Sequence, residues 1–454
     1  MVVETEESSD EGFAAFSRNR DASFLLPSVQ VGILLLTAIA AAGADTPPDS
    51  IANAKKVFAD ARAVSDKEDG HLWGRKLYGR ILLVNPDTRA VVANEPDPQG
   101  ILHAVDGVYV GTLPKSVIIS NAPTDWEGLR WTMLMGFTIP DDTTTRRITF
   151  AHELFHQMQP DLHLAAADTP ALHLDTEQGR VWLQLEWRAL AAALIETGAA
   201  QTSAIRDALA FREYRRAQFP KSGQIEASQE IAEGVAEYTG LVAGEPDTYA
   251  ARWHAASRLA HPDVSVSLVR SFAYTSGPGY GLLLDERLPG WRTRISTETD
   301  LGDLLGSTLK QREVASAQSR APYYGIAEIQ LAEADRAANA EAERARYRAL
   351  LVEGPVLVTP QPGRFSFNPN SLISLGDAGT VYPTFHAEAA WGTLDVKAGV
   401  LIPVDFSSTT LPAPRDPQGS HIEGPGWTID LASGWSVVPA ARQGNFVLQH
   451  VGGK

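Results

Sequence analysis

The apolar positions of this chain change their period twice. Ile51, Ala54, Phe58 and Ala61 recur at near-helical spacing behind Pro47 and Pro48, so a short helix is predicted, ending at the turn-forming residues 66–70. Short extended runs follow at 78–84, 89–94, 108–112 and 117–120, and they suggest an antiparallel sheet. The clearest strand alternates Leu129, Trp131, Met133, Met135 and Phe137 against Arg130, Thr132, Leu134 and Gly136, a period of two with one buried face. From 146 to about 351 the pattern is helical, apolar nearly all round over 181–195 and helically spaced again over 204–216. The stretch 326–351 is Ala-rich and charged, with Glu341/Arg344 and Glu343/Arg346 at i,i+3, as suits a long surface helix stopped by Gly354-Pro355. Beyond it, short runs rich in Val, Thr and aromatics at 356–358, 365–367, 396–406, 427–431 and 446–449 predict a β-rich module. No fixed-period repeat occurs.

Residues 24–44 form an uncharged segment behind Arg18 and Arg20, closing on Ala42-Gly43-Ala44. It reads as a cleaved export signal, or as a membrane anchor if left uncleaved, and both place the remainder outside the cytoplasm. The organisation expected is therefore 1–44 as signal or anchor, 45–352 as a catalytic unit (45–145 β-rich, 146–352 mainly helical) and 353–454 as the β-rich module. With 39 basic against 55 acidic residues the net charge is −16, which argues against a phosphate-backbone partner. The chain has no cysteine, so a metal would need His and carboxylate ligands.

The chemistry-bearing segment is His152-Glu153-Leu154-Phe155-His156. On a helix the two imidazoles share a face one turn apart, able to present themselves to one zinc ion, with Glu153 beside the open coordination position. Two histidines do not complete such a site, and a third protein ligand must come from elsewhere. The metzincin continuation wants Gly and His where this chain has Gln159 and Leu162, and Asp161 is out of register for the aspartate variant. A distant glutamate remains, and one candidate is Glu186 on an otherwise apolar helix, where a buried acid needs a metal or a cation such as Arg180, Arg188 or Arg212. Glu226 and Glu230 are expected to face solvent.

The run from Ile231 through Ala232, Glu233, Gly234, Val235, Ala236 and Glu237 to Tyr238 resembles the N-E-G-[F/L]-A-x-Y helix of gluzincin metallopeptidases of the aminopeptidase-N-like kind. The resemblance implies that Glu233 is the third zinc ligand, with Glu237 orienting a ligand histidine as in thermolysin-like members. Tyr274, in Phe272-Ala273-Tyr274-Thr275-Ser276-Gly277, resembles the Y-x-x-G tyrosine that donates to the oxyanion, with Tyr280, His254 and His261 as weaker substitutes. Asn121-Ala122 resembles the edge segment with which thermolysin-like enzymes pair a peptide backbone. No segment resembles the Gly-Ala-Met-Glu-Asn anchor for a free amino terminus, and the glycine-rich run 277–281 is expected to be a turn rather than a nucleotide loop.

These readings combine into an α+β fold: a zincin-like catalytic unit, with an N-terminal mixed sheet and active-site helix and then a helical subdomain, ahead of the β-rich module. The expected function is an exported zinc metallopeptidase using one zinc ion, a peptide or protein substrate, and Glu153 as general base toward the attacking water. The alternatives are a non-catalytic zinc-binding or surface-binding protein on the same fold, or a zinc hydrolase of a non-peptide amide. No nucleic acid is expected, and a membrane only if 24–44 stays uncleaved.

Overall fold

Alternation and periodicity set the order of elements seen in the computed structural model, which describes residues 51–114, 116–136, 139–167, 169–310, 316–367 and 371–451. The export or anchor segment and Phe137 lie outside them. Among the described residues no helix is long and apolar enough to cross a membrane.

Helix α1 (Ile51–Glu68) leads into a six-stranded sheet of β1 (Ile81–Val84), β2 (Ala90–Ala93), β3 (His103–Val105), β4 (Val108–Thr112), β5 (Ala122–Trp126) and β6 (Leu129–Met135), in the order β3-β4-β2-β1-β6-β5. The sheet is mixed rather than antiparallel, because β1 and β6 pair in parallel, Ile81 opposite Thr132 through Val84 opposite Met135. The alternation in β6 does not expose one face either. Trp131, Thr132, Met133 and Leu134 are all buried, with Leu134 turned to the helical core and Trp131 and Met133 to a second cluster on the far side. Residues 117–120 form no strand. The outer strands are β3 and β5, and β5 carries Pro123, tolerated because an edge has no further ladder to donate to.

The helical middle comprises α2 (Thr143–Met158), α3 (Glu177–Ile195), α4 (Gly198–Gln218), α5 (Ser222–Gln229), a π turn (Glu230–Gly234), α6 (Val235–Gly244), α7 (Thr248–Ala260), α8 (Leu268–Arg287), the short α9 (Leu301–Gly306) and α10 (Ala317–Arg320), and the exposed α11 (Ile326–Arg348). The 277–281 run lies inside α8, not in a turn. Its glycines serve close packing: a Cβ at Gly277 would fall 2.3 Å from Gly234 Cα, and one at Gly281 would fall 2.3 Å from the Tyr238 ring. The i,i+3 pairs of α11 form, Glu341–Arg344 at 3.1 Å and Glu343–Arg346 at 3.7 Å.

Among the described residues the C-terminal module has twelve strands, β7 (Val356–Pro360) to β18 (Phe446–His450), in a seven-stranded and a five-stranded sheet over a core of their own that includes Trp391, Leu394 and Trp427. The run expected at 396–406 is two separate strands, ending at Val396 and restarting at Val400, because the chain turns at Gly399 with φ 103°. The molecule is thus α+β, with an N-terminal sheet, a helical middle and a β-rich C-terminal module.

Candidate metal centre

Helix α2 starts at Asp142, whose carboxylate accepts from Thr145 N at 2.7 Å, and it buries Phe150, Ala151, Leu154 and Phe155. Its partner is α6, whose Gly240 and Gly244 admit the α2 backbone: a Cβ would lie 2.7 Å from Ile148 O at Gly240 and 2.7 Å from Ile148 N at Gly244. This approach brings the glutamates just before and inside α6 to the two histidines of α2. Helix α8 closes the third side, its Gly277 lying on Gly234.

His152 Nε2 and His156 Nε2 are 3.0 Å apart, and Glu233 Oε2 is 3.6 Å from the first and 3.4 Å from the second. The three residues can together hold a metal ion. Ligands about 2.0–2.1 Å from a tetrahedral ion stand about 3.3–3.4 Å apart, and the three observed separations bracket that value. The other ring nitrogens are occupied: His152 Nδ1 lies 2.9 Å from Glu237 Oε2, and His156 Nδ1 lies 2.8 Å from Gln159 Oε1. Both partners are acceptors, so each Nδ1 donates, and Nε2 is the nitrogen that each ring turns toward the other and toward Glu233. Two ring nitrogens and a carboxylate oxygen converging in a partly buried site require a positive charge among them, a proton or a metal ion.

The electrostatics express the same demand. Burial opposes charge on His152, yet the Glu233 and Glu237 carboxylates, with Glu153 adding to them, push its pKa up to about 10. Burial would raise Glu237, but Arg258 and His152 hold it down at about 2, and Arg258 Nη1 donates to Glu237 Oε1 at 2.5 Å. Glu233 is held far below the usual carboxylate range by the two histidines, against its own desolvation.

Tyr274 O–H donates to Glu233 Oε2 at 2.6 Å, and its ring stacks on His152 at 5.4 Å between centroids. Burial and the Glu233 charge raise its pKa well above the ordinary value, so it stays a donor. Glu153 is partly buried on the same helix, its carbonyl accepting from Thr132 Oγ1 at 3.4 Å. Asn121 accepts from Met135 N at 2.8 Å and Ala122 opens the edge strand β5. Comparison with protein-family models, with curated proteins and with solved structures found no match.

Glu186 is engaged elsewhere. Its oxygens accept from Arg212 at 3.1 Å, Arg215 at 2.5 Å and Tyr280 O–H at 2.7 Å, all buried. The same network corrects the expectation that Glu226 and Glu230 face solvent, since both are fully buried. Glu226 meets Arg215 at 2.8 Å, Arg216 at 2.7 Å and His173 at 2.7 Å, while Glu230 meets Arg212 at 2.5 Å. Sequence reasoning missed Gln159 and Arg258 as partners of the site. Gln159 entered only as a departure from another motif, and Arg258 lies on a helix with no signal of its own.

Proposed function

We propose that this chain is an exported zinc-dependent metallopeptidase, with His152, His156 and Glu233 as the metal ligands. The observation that carries this is the triangle of Nε2, Nε2 and Oε2 atoms at 3.0–3.6 Å, with both Nδ1 atoms already bonded, which is a donor set that fits Zn²⁺. A zinc ion held there would supply a Lewis acid that polarises the scissile carbonyl and lowers the pKa of water. Glu153, next to His152 in the chain, takes the proton of the attacking water and returns it to the leaving amine. Tyr274 supplies its hydroxyl to the oxyanion. Glu237 holds His152 in its Nδ1–H form, and Arg258 keeps Glu237 charged. The edge strand β5, which starts at Ala122 just after Asn121, offers main-chain pairing to an extended peptide.

The test is a mass-spectrometric digest of a mixed peptide library with the wild-type chain and with Glu153→Gln. Internal cuts made by wild type alone are expected, with the variant keeping its zinc. Identical spectra from the two proteins would refute the peptidase reading, and a metal-free wild type would refute the metal centre as well.

A further inference from the structure

The amide of Gln159 is fully committed. It is buried one residue beyond the last turn of α2, and its Nε2 donates one bond to Ile231 O at 3.0 Å and another to Ala232 O at 2.7 Å. An amide nitrogen has two hydrogens and both are used, so the group cannot turn over, and Oε1 must face His156 Nδ1. The two carbonyls belong to the π turn Glu230–Gly234 that presents Glu233. A π turn bonds i to i+5, and Gln159 is the side chain that reads its carbonyls from the α2 side. One side chain therefore touches the ring of one candidate ligand and the backbone that carries another.

Resting on the metal centre proposed above, we infer that Gln159 is a positioning residue that couples the two halves of the donor set: it fixes His156 with Nε2 free and clamps the π turn so that Glu233 Oε2 faces it. The His156–Glu233 separation of 3.4 Å is then a property of this clamp as well as of helix packing. Of the described side chains around the three candidate ligands, Glu237 bonds His152 from within α6, and Tyr274 bonds Glu233 and stacks on His152, whereas Gln159 is the one bonded to His156 Nδ1. Gln157, two residues earlier on α2, donates to Arg80 O and meets neither ligand, which makes it a matched control.

The test uses the whole chain with Gln159→Met, which keeps length and volume and removes all three bonds, beside Gln157→Met and His156→Ala. Binding of Zn²⁺ is measured by competition with a chromophoric chelator, coordination by the visible absorption of the Co²⁺-substituted protein, and folding by circular dichroism. Losing such an outer partner weakens metal binding by roughly 10–100-fold. That weakening, with a changed Co²⁺ band and native dichroism, is expected for Gln159→Met, while Gln157→Met keeps wild-type affinity. A Zn²⁺ dissociation constant and Co²⁺ band in Gln159→Met equal to wild type would overturn the inference.

Failure of the metal reading is a separate outcome, seen as no Zn²⁺ bound by wild type. The ¹⁵N spectrum of histidine-labelled, metal-free protein then decides the positioning role by itself. His156 Nδ1 protonated in wild type and not in neutral Gln159→Met supports the clamp, and the same Nδ1 signal in both overturns it.

Discussion

Adding one methyl group at Gly277 is the sharpest test of how the third ligand is delivered. An alanine Cβ there would sit 2.3 Å from Gly234 Cα and 2.4 Å from Gly234 C and O. Carbon atoms in contact stand about 3.5–4.0 Å apart, so α8 and the π turn must separate by more than about 1 Å, and no rotamer relieves a clash between backbones. Overpacking costs about 1–3 kcal/mol, here near the upper end, and the gain in helix propensity returns about 1 kcal/mol, leaving a net loss near 2 kcal/mol. Gly279 is the control on the same helix. Its added methyl meets the end of the Leu259 side chain at 2.9 Å, which can rotate away, so Gly279→Ala is expected to be close to neutral. Urea unfolding measures the stability difference, and Zn²⁺ competition measures the second effect. Glu233 precedes Gly234, so a shift of about 1 Å at the turn weakens Zn²⁺ binding by at least about tenfold in Gly277→Ala alone. Equal stability and equal affinity in the two variants would refute the claim that this glycine contact positions the ligand.

Two further outcomes follow from the buried charges. Glu233→Ala is expected to lose Zn²⁺ and activity together, whereas Glu186→Ala keeps Zn²⁺ but loses about 1–3 kcal/mol of stability, because Arg212, Arg215 and the Tyr280 hydroxyl each lose a buried acceptor while Glu230 and Glu226 still pair the arginines, as metal analysis and denaturant unfolding would show; the reverse pattern of Zn²⁺ loss would overturn the ligand assignment. Glu226 has its pKa held well below the ordinary 4.5, with Arg215, His173 and Arg216 overcoming desolvation, so its stabilisation is present above pH 4.5 and is lost as the pH falls below it. The pH dependence of urea unfolding is accordingly expected to flatten between pH 5 and about 3 in Glu226→Gln, and an unchanged slope would refute this attribution.

What could be read from residues alone follows from how far each determinant lies along the chain. His152, Glu153 and His156 sit within five residues, and one helical turn is enough to relate them. Glu233, Glu237 and Tyr274 came from resemblance, and the structure brings all three to the histidines. The arginines that bury Glu226 and Glu230 lie 10 to 18 residues away on another helix, and an isolated acid in a sequence looks like surface. The glycines of 277–281 punctuate a chain locally, but here they are spent on tertiary contact, so local reading mistook a helix for a turn. Only the start of β5, at Ala122, is marked by resemblance to an edge segment; periodicity does not show the strand, because Pro123 argues against one except at an edge, and edge position is a property of the finished sheet.

The π turn also sets the phase of a row of acids. At about 100° per residue, Glu226, Glu230, Glu233 and Glu237 would form a single stripe along an unbroken α-helix. Instead the first two face Arg212 and Arg215 and the last two face His152, because the turn between them holds one extra residue. A regular α-helix through all the residues of 226–237 would rotate α6 by about 100° against α5, so that the arginines and the histidines would compete for the same carboxylates. Any change that favours the regular helix over the π turn at 230–234 would therefore disturb the arginine network and the cluster around His152 together.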